Sequence, residues 1–241
     1  MPKNASKSRQ AKLFIMNLNW IGITVLLGFI MCGCSADEPK YSCNPEVNKW
    51  VEDHLDEIHS MTRAEWLECD AEISTSIYRA FTPKQRTNFW REKFQELKTL
   101  EWTKVELCHI REVEDFFENH LSWFYDDSLT DQQFDEAELF VYKWSERAKR
   151  EFGWSDHLIG MMIASGDRLL DTEGTSYQTN ASAGNVLLSS DESCNCNRNS
   201  SVTCSWNVTC EKASCNDLSK GCGFFLLYEC NGRCEEPRYK L

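Results

Sequence analysis

The sequence predicts an all-α helical bundle followed by a small disulfide-rich C-terminal module of mainly β and irregular structure. Three observations predict this fold class. Helix-capping motifs recur along residues 43–170, apolar residues follow them at spacings of three and four, and 8 of the 13 cysteines lie in the last 48 residues. The net charge of −12 excludes nucleic acid from the expected partners, because nucleic-acid binding needs a basic surface.

The sequence of residues 1–34 predicts an export segment. Four basic side chains precede an apolar run from Trp20 to Met31. A basic stretch, a short apolar run and small residues are typical of a secretory signal. A retained membrane anchor remains the alternative, since extending the run back to Leu13 reaches spanning length. Met1 and Met16 are both candidate starts.

The residues Met31-Cys32-Gly33-Cys34 resemble a bacterial lipobox. This resemblance implies that Cys34 carries lipid and becomes the mature N-terminus, so that a membrane is a partner through this lipid. An ordinary signal peptide is the alternative. The polar, acidic residues 35–42 are expected to form a tether. We therefore expect an exported chain, either at the bacterial cell envelope or secreted after cleavage.

Helix starts are predicted from capping along residues 43–170. Asn44 followed by Pro45 is typical of an N-cap and the first helical position. Four capping boxes follow, and Ser155 opens a last helix for which Gly166 is the expected stop. The boxes begin at Thr62, Thr82, Thr103 and Thr130.

Apolar stripes agree with these starts and indicate helices that pack into a bundle. The stripes comprise Val47, Trp50, Val51, Leu55 and Ile58; then Val105, Cys108, Val113, Phe116, Phe117, Leu121 and Phe124; and last Phe134, Ala137, Val141, Trp144 and Ala148.

The helical domain contains no recognisable catalytic constellation. His54 and His59 lie five residues apart on one predicted helix, a spacing that does not place them on one face. The sequence has no zincin motif, phosphate-binding glycine loop or nucleophile elbow. We therefore expect no enzyme activity, no cofactor and no metal. Cys69 and Cys108 pair with each other, pair with Cys43, or stay reduced, and the sequence leaves these alternatives open.

Residues 171–193 are expected to be a flexible linker. Ser, Thr, Asn and Gly dominate residues 172–190, a composition typical of a spacer. An exposed spacer is where proteases cut, so a processing protease is an expected partner.

Residues 194–241 are expected to form a module that depends on its cysteines for stability. An even number of cysteines in an exported chain favours disulfides. Zinc is the alternative, although the segment has neither histidine nor a CxxC pair. Eight cysteines allow 105 pairings, and the sequence does not choose among them. They are Cys194, Cys196, Cys204, Cys210, Cys215, Cys222, Cys230 and Cys234.

An aromatic run stands near the end of this module. Gly221-Cys-Gly223 precedes Phe-Phe-Leu-Leu-Tyr228, and Asn231-Gly232 follows. Glycine pairs and Asn-Gly are typical of tight turns, so the pattern predicts turn, strand, turn.

The CxC element at Cys194, the GCG element at Gly221 and the CNG element at Cys230 together resemble proteins called bacteriocin fulvocin C-related. The resemblance covers residues 194–234, and the run from Ile77 to Pro83 and Trp90-Arg-Glu-Lys also resembles their upstream region. It implies an antibacterial peptide at the C-terminus of an exported chain. Cys234 follows Asn-Gly here, whereas the family's peptide places its last two cysteines before that pair.

The resemblance leads to two functional hypotheses. In the first, the chain is a bacteriocin-like precursor released by cleavage in the linker, and a rigid apolar edge engages the envelope of a target cell through Trp206, Phe224, Phe225 and Tyr228. In the second, the chain is a non-toxic surface lipoprotein with a binding, adhesion or immunity role. Separately, the alternative to an exposed edge is that residues 224–228 form only a core strand of the module.

Overall fold

The structure, a computed structural model, describes residues 40–177, 194–202, 204, 208–212 and 217–235. Eight α-helices occur within these ranges, and a 3₁₀ helix, Leu121–Phe124, follows the sixth. The α-helices are α1 (Pro45–Asp53), α2 (Leu55–Ser60), α3 (Arg63–Trp66), α4 (Ala71–Ala80), α5 (Pro83–Leu97), α6 (Lys104–Asn119), α7 (Asp131–Phe152) and α8 (Asp156–Ile163). The prediction of a helical body is confirmed, whereas the predicted export segment lies outside the described residues.

The predicted caps begin the helices as expected. The Asn44 side chain accepts hydrogen bonds from the first turn of α1, and Ser155 accepts one from the Leu158 amide in α8. The four predicted capping boxes are complete, so each satisfies backbone amides that the first helical turn leaves unpaired. They open α3, α5, α6 and α7.

Three details of the helical prediction were wrong. The first stripe is not one helix, because the backbone breaks at His54 between α1 and α2. Gly166 does not stop α8, which ends at Ile163; instead a Cβ at Gly166 would come within 2.5 Å of the Trp66 ring. Val105 is 63% exposed, so the second stripe begins later on α6 than expected.

The core of the helical body contains many aromatic side chains as well as aliphatic ones. Trp90 and Phe94 from α5 and Phe117 from α6 are completely buried. Their rings lie at angles typical of favourable aromatic pairs, as in the Phe94–Phe117 pair with centroids 5.6 Å apart. The C-terminal part of the chain packs against this cluster and buries it.

Residues 40–42 of the predicted tether and residues 171–177 of the predicted linker have defined structure. Tyr41 and Ser42 are buried, and their amides donate to the Asn48 side chain. Strand β1 (Arg168–Leu169) pairs antiparallel with β2 (Ser176–Tyr177), so residues 171–177 belong to a hairpin. Residues 35–39 and 178–193 lie outside the described residues.

The cysteine-rich segment, meaning the described residues from 194 to 235, contains short strands and disulfides. Strand β3 (Thr209–Glu211) pairs with β6 (Arg233–Glu235), and β4 (Leu218–Cys222) pairs with β5 (Tyr228–Cys230), both antiparallel. This confirms a disulfide-rich segment after a helical body. The predicted strand at 224–228 is wrong, because a 3₁₀ turn, Phe224–Leu226, separates β4 from β5.

Candidate functional site

The aromatic loop, residues 223–228, joins β4 to β5. Its backbone takes an unusual path: φ is +65° at Gly223, +52° at Phe225 and +55° at Leu226. A left-handed conformation costs about 1–2 kcal/mol for a residue other than glycine. A Cβ at Gly223 would lie 2.2 Å from the Tyr228 ring. The loop therefore exists in this form only because its surroundings fix it.

Those surroundings are the aromatic core of the helical body. Phe225 is 2% exposed and stacks on Phe224 at 3.9 Å. Four rings of the body surround Phe225 with centroid distances between 4.9 and 6.4 Å. They belong to Trp90, Phe94, Phe117 and Phe124.

The remaining apolar side chains of the loop contact α6 and α7. Phe224 lies 5.8 Å from the Phe116 ring, and Tyr228 lies 4.6 Å from the Phe134 ring. Leu227 is also buried. Burying an apolar side chain stabilises by about 1.5–3 kcal/mol, so these three and Phe225 contribute roughly 6–12 kcal/mol in total. This gain offsets the cost of the left-handed backbone.

Tyr78 anchors the loop from α4 through a buried hydrogen bond. Its hydroxyl accepts from the Trp90 indole N–H at 3.0 Å and donates to the Phe225 carbonyl at 3.1 Å. Burial raises the pKa of Tyr78, so the hydroxyl keeps the proton that it donates. The helical body thus supplies the hydrogen-bond donor for the carbonyl at the centre of the left-handed turn.

Arg79, the next residue of α4, binds both flanks of the loop. Its Nε donates to the Lys220 carbonyl at 2.7 Å, and a terminal nitrogen lies 3.3 Å from Cys230 Sγ. The other terminal nitrogen donates to the Tyr41 carbonyl at 3.0 Å. Burial lowers the pKa of Arg79 to about 10. A Cβ at Gly221 would lie 2.8 Å from Arg79 Nε, so only glycine allows this approach.

Two further charged side chains, Glu138 and Lys220, join the segment to the body. Glu138 on α7 accepts from the Ser200 hydroxyl at 3.1 Å and from the Ser201 amide at 2.8 Å. The Lys220 ammonium donates to the Asp126 carbonyl. Burial, reinforced by the nearby Arg86 charge, lowers the pKa of Lys220 to about 8. The segment is therefore held by charged groups as well as by rings.

Three disulfides are described, and each joins residues within the cysteine-rich segment. They are Cys196–Cys210, Cys204–Cys234 and Cys222–Cys230. Cys194 is disulfide-bonded as well, whereas Cys215 lies outside the described residues. The last of the three bridges spans the aromatic loop.

The sulfur atoms of Cys196, Cys204 and Cys210 lie within 4.8 Å of one another, a spacing that would suit a metal ion. A cysteine binds zinc only as a thiolate, and all three sulfurs are in disulfides. The geometry therefore favours the disulfide alternative. In the helical body, Cys69 and Cys108 form no disulfide, and Cys43 is buried beside Cys222 and Cys230.

A buried lysine in the body, Lys93, has a lowered pKa but no free proton to react with. Burial, together with the Arg63 charge, lowers the pKa of Lys93 to about 7, a range found at some catalytic lysines. Its ammonium donates to the carbonyls of Met161, Ser165 and Asp167 at 2.5–2.7 Å. All three protons are therefore engaged, and Lys93 fixes the end of α8.

Three of the four candidate target contacts are buried in this structure. Phe224, Phe225 and Tyr228 are at most 3% exposed, so they do not form an apolar edge open to solvent. They also do not form a core confined to the module, because their ring partners lie on helices of the body. Trp206 and the lipidation candidate Cys34 lie outside the described residues.

Sequence reasoning missed the residues that receive the loop. Tyr78 and Arg79 stand in the run that resembles the family's upstream region, but nothing in that run indicated their role. Glu138 lies between apolar positions of α7 and has the spacing of an ordinary surface glutamate. Their contacts join residues more than 60 positions apart, and local patterns do not carry that information.

No helix among the described residues is both long and apolar enough to span a bilayer. No protein-family model, curated protein or solved structure matches this chain, so the resemblance to fulvocin C-related proteins stays a prediction from its residues.

Proposed function

We propose that the chain is an exported bacteriocin-like precursor, and that the folded precursor is inactive because its helical body covers the aromatic loop. The observation that carries this proposal is the burial of Phe224, Phe225 and Tyr228 against helices of the body. An apolar edge acts on an envelope only when it is exposed. The antibacterial character comes from the resemblance of residues 194–234.

Two features support export in this proposal. The sequence of residues 1–34 is typical of a secretory signal. Disulfides persist in oxidising compartments and are rare in the cytosol, and at least three hold the cysteine-rich segment. The lipobox-like residues at Cys34 add a membrane anchor from which the segment acts or is released.

Growth inhibition tests the proposal. A protease site inserted within 178–193 allows the chain to be cut, and the fragments are then separated in denaturant without reductant. The intact chain, the oxidised C-terminal fragment and its reduced form are applied to bacterial lawns. We expect inhibition from the oxidised fragment alone.

The controls distinguish the two parts of the proposal, which are inactivity of the intact chain through burial of the loop and antibacterial activity of the fragment. Equal inhibition by the intact chain would contradict masking, because the loop is buried in that form. Inhibition by none of the three forms would contradict the antibacterial role. A fragment carrying Phe225→Ser, compared with the unsubstituted fragment, tests whether the exposed ring contributes to inhibition.

One observation favours the second candidate function, a non-toxic surface protein with a binding role. Phe225 occupies the space among four rings of the helical body, so the segment completes the body's core. A segment that completes a core stabilises the fold, in addition to keeping the aromatic loop away from solvent. Under this function the intact chain binds cells of the producing strain, and no form of it inhibits growth.

A further inference from the structure

We propose that cutting the chain between residues 178 and 193 leaves the cysteine-rich segment bound to the helical body as a noncovalent two-chain complex. Release then requires a second event that opens the aromatic loop. The biological meaning of this retention rests on the proposed precursor function, but the contacts that cause it do not.

The contacts on both sides of the cut are extensive and varied. Phe225 is enclosed by rings of the body, and its carbonyl accepts from Tyr78. Arg79 binds the Lys220 carbonyl, and Glu138 binds the Ser200 and Ser201 region. None of these contacts depends on the chain being continuous between Tyr177 and Cys194.

The described residues on either side of the cut are held by backbone hydrogen bonds. Tyr177 belongs to β2, which pairs with β1 in the body. The Asn195 amide donates to the Gly232 carbonyl at 2.9 Å within the segment. A cut between Tyr177 and Cys194 therefore removes the covalent connection and leaves the buried interface as it is.

The Cys222–Cys230 disulfide is the element that controls release. It closes the stretch that contains the left-handed Phe225 and Leu226. Closing a short stretch limits the conformations that the loop reaches when it leaves the core. A dithiol reductant supplies two electrons and two protons to give two thiols, becoming a cyclic disulfide itself. The loop then relaxes, and the segment dissociates.

Size-exclusion chromatography of the cut full-length chain tests the proposal. In oxidising buffer we expect both fragments to elute together at the position of the uncut chain. Separate elution in that buffer would overturn the proposal. A denaturing gel without reductant should show two bands, and one band would show a covalent link and overturn noncovalent retention.

Two matched variants locate the interaction. Glu138→Ala removes the acceptor of two hydrogen bonds, and we expect the dissociation constant of the cut fragments to rise about tenfold. Glu136→Ala on the same helix faces His120 and should leave that constant unchanged. Equal constants for the two variants would overturn the assigned interface.

The same chromatography tests the effect of reducing the Cys222–Cys230 disulfide. The cut chain should separate in excess dithiol, and the double variant Cys222→Ser, Cys230→Ser should separate without it. Coelution in both cases would overturn the role of this disulfide. Growth inhibition is a different readout, so failure of the antibacterial function leaves the chromatographic result fully interpretable.

Discussion

At the scale of single residues, the aromatic loop depends on Gly223. An added Cβ would meet the Tyr228 ring at 2.2 Å, and the backbone lies at φ +65°. We expect Gly223→Ala to lower the free energy of unfolding by about 2–4 kcal/mol, since it combines overpacking with backbone strain. Urea denaturation measures this change.

Gly160→Ala is the matched control for this substitution. Gly160 lies inside α8 and has nothing within 4 Å of an added Cβ. Alanine is the better helix former, so we expect a gain of about 0.5–1 kcal/mol. A loss at Gly160 as large as that at Gly223 would contradict the steric argument.

His109 makes the stability of the body depend on pH. Its Nε2–H donates to the Trp144 carbonyl, which leaves Nδ1 to accept from the Arg147 guanidinium at 2.7 Å. Burial, and then the Arg147 charge, lowers the pKa of His109 from 6.5 to about 4. Between these values the unfolded chain binds a proton that the folded chain does not.

The free energy of unfolding should therefore fall as the pH drops from 6.5 towards 4, by about 1–3 kcal/mol from this group. Urea denaturation across this range measures the slope. His109→Gln should flatten it, because glutamine does not titrate there. His54→Gln leaves the buried histidine in place and should keep the slope; a flattened slope in that variant would contradict the assignment to His109.

At the scale of elements, the disulfide across the aromatic loop should matter more than the thiols of the body. Cys222 and Cys230 are eight residues apart, and a bridge of this span contributes about 2–3 kcal/mol. We expect Cys222→Ser, Cys230→Ser to lose this amount in thermal denaturation. Cys108→Ser replaces an exposed thiol and should change stability by less than about 0.5 kcal/mol.

Helix starts were predictable because their signals are local. A capping box places its acceptor three residues from its donor, and the boxes at Thr82 and Thr103 form as predicted. The sequence before α4 has no capping box, because Ile73 stands three residues after Asp70. In the structure, the Asp70 side chain makes no capping hydrogen bond. The end of α7 was not predicted either, although its C-cap is a glycine, Gly153, with φ +71°.

The strand predicted for the aromatic run is wrong for a different reason. Five consecutive apolar residues after Gly223 have the composition of a strand, and local propensity favours one. Phe225 and Leu226 turn left-handed because rings from α5 and α6 enclose Phe225. Tertiary packing overrides local preference here, and the partner rings lie more than 100 residues away in the sequence.

At the scale of the whole molecule, the helical body and the cysteine-rich segment should unfold together. Their side chains share one buried cluster, and shared burial makes unfolding cooperative. We expect a single calorimetric transition for the full chain. Replacing 178–193 by a Gly/Ser linker of equal length should preserve that single transition.

A chain that ends at Tyr177 tests the same coupling. Its core would lack Phe225, and a cavity of that size costs about 3–5 kcal/mol. We expect loss of the cooperative transition and binding of a dye that recognises exposed apolar surface. A truncated chain that melts like the full chain would contradict the shared core.

The position of Trp90 gives the molecule an optical reporter. Its indole lies 4.9 Å from the Phe225 ring and donates to Tyr78, so it stands where the body meets the loop. Departure of the loop would admit water to this indole and shift its fluorescence emission to longer wavelengths. The chain has nine tryptophans, so the part of this shift that Trp90→Phe removes reports the departure of the loop without an attached label.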